Sequence, residues 1–356
     1  MALEEFLAEW HNDSPTILVH TSGSTGQPKP MLVEKRRMEA SARITCQFLG
    51  LKPGDSALLC MSLDYIAGKM MVVRALTCGL RLKVVEPCGA PEWDGPVDFA
   101  AMVPMQVYNL LQTEEGRQRL MSIKHLLIGG GAVDGALASV LASFPNHIWS
   151  TYGMTETLSH IALRRLNGPD ASEWYTPFKG VTLSLADESP GSAPTSTTQH
   201  PSPTTSVGCL VIDAPAVHDG PLITNDIVEL YSPLTSHPSP LPPHLFRILG
   251  RKDNVICSGG IKIQIEEVER LLRLHLTHSF VITRRRDEKF GEAVVLLTEG
   301  DDHEVQTICE RVLPKYWHPR TYIHVANIPL TPTGKPARKE AEKIAEDAYS
   351  SGFMFV

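Results

Sequence analysis

The sequence predicts an α/β protein with a large domain built on a mostly parallel sheet and a small α+β module behind it. Three observations carry this expectation. Short apolar runs alternate with helical patterns from Thr16 to Ile128, the signature of strand–helix–strand units that bury a parallel sheet. Of 356 residues, 42% are apolar and 21% charged, which permits a sizeable core and does not suit a disordered chain. The chain also changes character near Gly250, behind two stretches rich in Ser, Thr and Pro.

The elements follow in order. Leu3, Phe6, Leu7 and Trp10 share one side of a short amphipathic helix, which Asn12-Asp13-Ser14-Pro15 breaks. Thr16 to His20 reads as a strand running into a Gly-rich turn, with a helix expected next. That helix spans Glu34 to Leu49, with Met38, Ala42, Thr45, Phe48 and Leu49 on one stripe. Ser56 to Met61 is a buried strand, and Ile66 to Cys78 a second helix ended by Gly79. Arg81–Val85, Asp98–Val103 and His125–Ile128 are further strands. Residues 187–206 and 233–243 read as exposed loops. From Gln264, a helix buries Ile265, Val268, Leu271, Leu272, His275 and Leu276. Glu266, Glu267, Glu269, Arg270 and Arg273 are expected in solvent. Strands at Ser279–Thr283, Ala293–Thr298 and Tyr322–Ala326 and a helix at Glu304–Leu313 complete the module. The division is therefore residues 1–250 and 251–356.

Composition excludes several function classes. Thirty-three Lys and Arg against forty Asp and Glu leave a net charge of −7, which argues against a general nucleic-acid binder. No apolar run reaches the length of a membrane span, and the acidic N-terminus does not read as a leader, so a cytoplasmic location and no membrane partner are expected. Seven cysteines without a CxxC pair read as reduced thiols, and no HExxH or clustered His/Cys spacing suggests zinc.

The strongest signal is Thr21-Ser22-Gly23-Ser24-Thr25-Gly26-Gln27-Pro28-Lys29. Glycines let a backbone approach a polyanion, hydroxyls add donors, and the lysine brings a compact positive charge. It is not a Walker A loop, and no GxGxxG occurs. The plainer alternative is a flexible polar turn. Further along stand Gly129-Gly130-Gly131, Tyr152-Gly153-Met154-Thr155-Glu156-Thr157 and Thr224-Asn225-Asp226. Gly250-Arg251-Lys252-Asp253, Ser258-Gly259-Gly260 and Pro332-Thr333-Gly334-Lys335 come after them. In this order these segments resemble the motifs of the adenylate-forming superfamily, which includes acyl-CoA ligases, luciferases and adenylation domains. Asn225 stands where that family usually has Gly.

The resemblance implies the fold of that superfamily, with a shortened large domain and a small mobile C-terminal one, because the phosphate loop begins as early as residue 21. A sheet edge left bare by that shortening would need a cover, and a homodimer would supply one. The resemblance also implies ATP, Mg²⁺ and coenzyme A as ligands and a small-molecule carboxylic acid as substrate. By residue type, Thr21, Ser22, Gly23, Ser24, Thr25, Gly26 and Lys29 would hold phosphates, and Gly130 and Gly131 would lie against adenine. Tyr152 would stack on the same base beside Gly153. Thr155 would donate to the α-phosphate and Glu156 would hold the metal. Asp226 and Arg251 would meet the ribose. Lys335 would bridge the attacking carboxylate and the α-phosphate. Asp253 would be the hinge, and Ser258, Gly259 and Gly260 would line the path of the thiol arm; a plain glycine turn from strand to helix fits those three equally well.

The acid is addressed by Arg74, an arginine in an otherwise apolar helix with no acidic residue four positions away. Unpaired, such a group costs several kcal/mol on general grounds, so it has either a structural partner or a second carboxylate on the substrate. Arg74 follows Gly68 by six residues, with Tyr65 and Lys69 nearby, and in this the segment is similar to the o-succinylbenzoate–CoA ligases of menaquinone biosynthesis. Tyr65 stands where many members carry His, and Ala67 replaces a small polar residue. The alternatives are an adenylating enzyme that loads a separate carrier protein, and a non-catalytic nucleotide-binding protein.

Overall fold

A computed structural model describes residues 1–20, 30–133, 135–186, 204–232, 245–331 and 335–350. Helix α1 (Leu3–His11) buries Phe6 and Trp10, as its apolar spacing requires. Strands β1 (Thr16–His20) and β2 (Pro30–Glu34) pair antiparallel, His20 opposite Pro30. This corrects the expectation of a helix directly behind the phosphate loop. A strand comes first, and α2 (Lys35–Leu49) begins only after it, so its dipole is not at the loop. Gly50 ends α2 in the left-handed region, its N–H on the last-turn carbonyls.

The chain then alternates: β3 (Ser56–Leu59), α3 (Ile66–Cys78), β4 (Arg81–Val84), β5 (Val97–Met102), α4 (Pro104–Leu110), α5 (Glu114–Met121), β6 (Ile123–Ile128), α6 (Gly135–Leu141) and β7 (His147–Gly153). Strands β8 (His160–Arg165) and β9 (Thr176–Pro177) close a sheet of order β4-β3-β5-β6-β7-β8-β9. Pairs from β4 to β7 are parallel, and β8 and β9 return antiparallel. Leu126, Ile128, Ala100 and Met102 face one core, Phe99 and Leu127 the other, which is why these strands read as continuous apolar runs.

A second sheet, absent from the sequence reading, follows. It is the antiparallel series β10 (Thr182–Leu185), β11 (Thr204–Asp213), β12 (Leu222–Ser232) and β13 (Leu245–Arg251). Residues 204–206 of the stretch read as loop are thus strand. Residues 187–203, and 233–243 whole, lie outside the described residues.

The path leaves this sheet at Arg251, passes a single turn at Lys252–Asn254, and enters a third sheet. Its elements are β14 (Val255–Ser258), β15 (Ile261–Gln264), α7 (Ile265–Leu272), β16 (Phe280–Asp287), β17 (Gly291–Thr298), α8 (Asp302–Val312), β18 (Thr321–His324) and α9 (Arg338–Ser350). The order is β15-β14-β17-β16, with β18 parallel to β17. Two residues of α7's expected pattern are corrected. Glu269 is 3% exposed and faces the interior, and His275 lies exposed beyond the helix end. Among the described residues no helix is long and apolar enough to cross a membrane.

Candidate active site

In parallel sheets, binding residues gather at the C-terminal strand ends, and the candidates Gly129, Gly130, Gly131 and Gly153 lie at such ends of β6 and β7. Gly129 follows β6, and a Cβ on it would lie 2.3 Å from Thr151 Oγ1, so a larger residue there would require the Thr151 side chain on β7 to shift. Gly130 has φ +76°, a conformation that favours glycine. At the end of β7, a Cβ on Gly153 would sit 2.2 Å from the Ser159 carbonyl oxygen, the reason for glycine within the Tyr-Gly motif. The turn behind it is held by Thr157, whose Oγ1 accepts from Met154 N at 3.0 Å and lies 2.7 Å from the Ser159 carbonyl oxygen. Thr155 is buried there, and Glu156 is half-buried beside it.

Tyr152 is 6% exposed, and its ring meets those of Tyr175 and Phe246 in T-shaped contacts at 6.0 and 5.0 Å. Its hydroxyl donates to Asp226 Oδ2 at 2.6 Å. Burial, then the Asp226 charge, pushes the phenol up well beyond the ordinary tyrosine value, keeping it a donor. Tyr152 thus orients Asp226. The Thr-Asn-Asp motif supplies its own brace, with Thr224 Oγ1 accepting from Asp226 N at 3.1 Å and donating to the Leu210 carbonyl at 2.9 Å.

Strand register puts Asp226 opposite Arg251, with Arg251 Nε 3.8 Å from Asp226 Oδ1. Asp253 lies just beyond, accepting from Asn225 Nδ2 at 3.1 Å and from Arg251 at 3.5 Å. The carboxylate expected as hinge is therefore tied to the strand ends on both sides. Lys335 arrives from the far end of the chain. A Cβ on Gly131 would lie 4.0 Å from Lys335 Cε. Burial and the nearby Arg251 charge lower the Lys335 ammonium from 10.5. Gly131, Asp226, Arg251 and Lys335 thus lie close together.

The remaining expected residues have the following places in the fold. Gly259 and Gly260, with φ +58° and +84°, form the two-residue turn of the β14–β15 hairpin, where Ser258 pairs Ile261. The turn joins strand to strand, which corrects the strand-to-helix turn read from sequence. Ser258 itself is buried. Lys69 is buried, its ammonium donating to the Leu18 carbonyl at 2.8 Å and 5.8 Å from the Phe6 ring, so it ties α3 to β1. Gly68 is required by packing, since a Cβ would meet the Ser62 carbonyl oxygen at 2.3 Å. Tyr65 caps α3 and is exposed. Thr21, Ser22, Gly23, Ser24, Thr25, Gly26 and Lys29 lie outside the described residues.

Arg74 is 2% exposed, and among the described residues it has no acidic partner. Its NH2 donates to Ser159 Oγ at 2.6 Å, NH1 reaches only Met71 Sδ at 4.0 Å, and Nε has no acceptor. The guanidinium lies 6.0 Å from the Phe99 ring. Burial brings it down to about 10. Ser159 and His160 continue the contact. Thr45 Oγ1 donates to the Ser41 carbonyl, so it accepts from His160 Nε2 at 3.0 Å, and His160 Nδ1 then accepts from Ser159 at 3.2 Å. His160 must be neutral in this chain, and desolvation followed by the Arg74 charge holds it well below 6.5. Sequence reasoning missed Ser159, His160 and Thr45, because nothing in their spacing announces a shared partner.

The AMP-binding enzyme family matches residues 4–220, and the chain belongs to that family. The 2-succinylbenzoate–CoA ligase of Salmonella typhimurium is 27% identical over 297 residues, which span 83% of this chain and 60% of that protein. The ligase of the same name from Bacillus cereus is 24% identical, over 95% of this chain and 72% of its own length. Among solved structures, an acyl-CoA synthetase (AMP-forming)/AMP-acid ligase II-like protein from Dyadobacter fermentans is 30% identical with a TM-score of 0.58. It covers 96% of this chain and 92% of its own. An O-succinylbenzoate coenzyme A synthetase from Bacillus subtilis, in complex with ATP and magnesium, superimposes with a TM-score of 0.69 at 20% identity. That match covers 91% and 69% of the two chains and speaks to the fold.

Proposed function

We propose that this protein is an ATP-dependent, AMP-forming acid–thiol ligase, with o-succinylbenzoate as the acid and coenzyme A as the thiol. The observation that carries the reading is Lys335 standing beside Gly131 and near Arg251, which pairs with Asp226 across β12 and β13. In the first step the substrate carboxylate attacks the α-phosphate and pyrophosphate leaves. Lys335 stabilises the charge that develops there. A unit charge about 4 Å away is worth roughly 4 kcal/mol at an effective dielectric near 20, or about three powers of ten in rate. Thr155 and the backbone of Gly130 and Gly131 add donors at the ends of β7 and β6, and Asp226 with Arg251 orients the sugar. In the second step the thiolate displaces AMP.

The donor set fits magnesium. Glu156 is a single half-buried carboxylate, and among the described residues no group of three or more His, Cys, Asp or Glu gathers as a metal cage. A metal held by one carboxylate and the nucleotide phosphates suits such a site, and its charge would neutralise the leaving pyrophosphate. Arg74 supports a dicarboxylic substrate, because its Nε and NH1 are donors buried without an acid. We propose further that residues 1–250 and 251–356 rotate about Asp253 between the two steps, and that the reaction takes place in the cytoplasm, where both cosubstrates are available.

The test is mass spectrometry of the products formed from ATP, Mg²⁺, coenzyme A and a panel of acids. An o-succinylbenzoyl thioester with AMP is the expected result. Acyl-adenylate without thioester would replace this reading with carrier loading, and no turnover of any acid would sink it.

A further inference from the structure

The loop that carries Lys335 has an unusual root. Three residues beyond Lys335, where α9 begins, Arg338 turns inward to Glu269 of α7. NH1 lies 2.5 Å from Oε1 and NH2 2.8 Å from Oε2, a two-pronged contact. NH1 also donates to the Ile282 carbonyl of β16 at 2.9 Å, and Ile282 N donates back to Glu269 Oε1 at 3.0 Å. One guanidinium therefore fastens the start of α9 to both a helix and a strand. Between Arg338 and Lys335 the backbone is narrow and paired. Ala337 N donates to the Pro329 carbonyl at 2.8 Å, Thr331 N to the Lys335 carbonyl at 2.7 Å, and Leu330 bridges Pro336.

We infer that the Arg338–Glu269 pair is a positioning device that aims Lys335 at Gly131 and the nucleotide end of the large sheet. Stability alone is a weak account of the pair. Buried ion pairs contribute little net stability, since desolvation offsets their attraction, whereas a planar fork fixes direction as well as distance. Direction matters here because a misplacement of about 1 Å in a reacting geometry can cost on the order of a hundredfold in rate. The inference rests on the reading of Lys335 as the adenylation lysine, so its test has one arm that does not use activity.

In that arm, intact protein is acetylated with an N-hydroxysuccinimide ester, and Lys335 is quantified by mass spectrometry against the exposed Lys339 and Lys343 of α9. Arg338→Lys keeps the charge and loses the fork, and Lys335 labelling is expected to rise at least threefold. A Glu269→Met/Arg338→Met double variant replaces the pair with apolar groups and should remain folded. It carries the same expectation should the single variant fail to fold. In the activity arm, pyrophosphate release is expected to fall at least tenfold with KM for ATP within twofold. Thioester formation from supplied acyl-adenylate should stay within twofold. Unchanged labelling, unchanged adenylation, or an equal loss in both half-reactions overturns the inference. If the wild-type chain adenylates no acid, the proposed function fails, and the labelling comparison still decides the positioning role.

Discussion

Arg74 is costly to the fold, and the proposed function gives that cost a purpose in recognition. A cation 98% removed from solvent with one good hydrogen bond and no carboxylate is expensive to keep, and its value brought down to about 10 expresses that cost. Replacing it by methionine removes the cost and keeps much of the volume. Arg74→Met is therefore expected to leave Tm unchanged or raise it by a few degrees, while KM for a dicarboxylic acid rises tenfold or more. Thermal melts and acid titrations of adenylation check this. A drop in Tm of several degrees would instead make the Ser159 bond and the Phe99 contact the residue's purpose. The sequence announced Arg74 by contrast, one charge in an apolar helix. It could not announce Tyr152 as the orienter of Asp226, because the two are 74 positions apart and an aromatic in a Tyr-Gly motif reads as a stacking face. Glu269 was missed for a related reason. Its partner lies 69 positions away, and a carboxylate on an amphipathic helix normally points to water.

At the scale of elements, legibility followed apolar periodicity and caps. Helix α3 was read to the residue, because an apolar run is stopped by a glycine with φ +68°. Helix α9 was not read at all; its buried positions include Ala341 and Ala345, small side chains that leave little periodic signal. Strand β2 was lost because PMLVE leads straight into α2 and reads as its approach. The antiparallel sheet β10–β13 was lost because β11 opens on polar residues behind a Ser/Thr/Pro stretch. The β14–β15 turn yields a graded prediction. Gly260 has φ +84° and open space around a Cβ, so Gly260→Ala meets backbone strain alone and should cost about 1–2 kcal/mol. Gly259 has φ +58°, and a Cβ there would also press on Phe290 Cδ1 at 3.0 Å, so Gly259→Ala should cost more. Denaturant midpoints that rank the two the other way would show that Phe290 moves aside freely.

For the whole molecule, the proposed chemistry depends on bringing a lysine that lies between β18 and α9 to Gly131, behind the last residue of β6. That arrival has an electrostatic consequence. Desolvation is the larger cause and the Arg251 charge the second, and both disfavour the ammonium of Lys335 and lower it from 10.5. The sign follows from the proposed role, since stabilising an α-phosphate needs the charged form, which is lost as pH rises through the lowered value. Adenylation is therefore expected to show an alkaline limb below 10.5, and Lys335→Ala should remove that limb along with most of the rate. Arg251→Met is expected to weaken nucleotide binding, yet it removes one of the two depressing causes, so in the remaining activity Lys335 should lose its charge at a higher pH than in wild type. Thioester formation from supplied acyl-adenylate, in which the proposed function gives this lysine no part, should show no such limb. Stopped-flow pyrophosphate release and thioester assays over one pH series read all three profiles. A limb common to both half-reactions would assign the titration to another group and remove Lys335 from the first step.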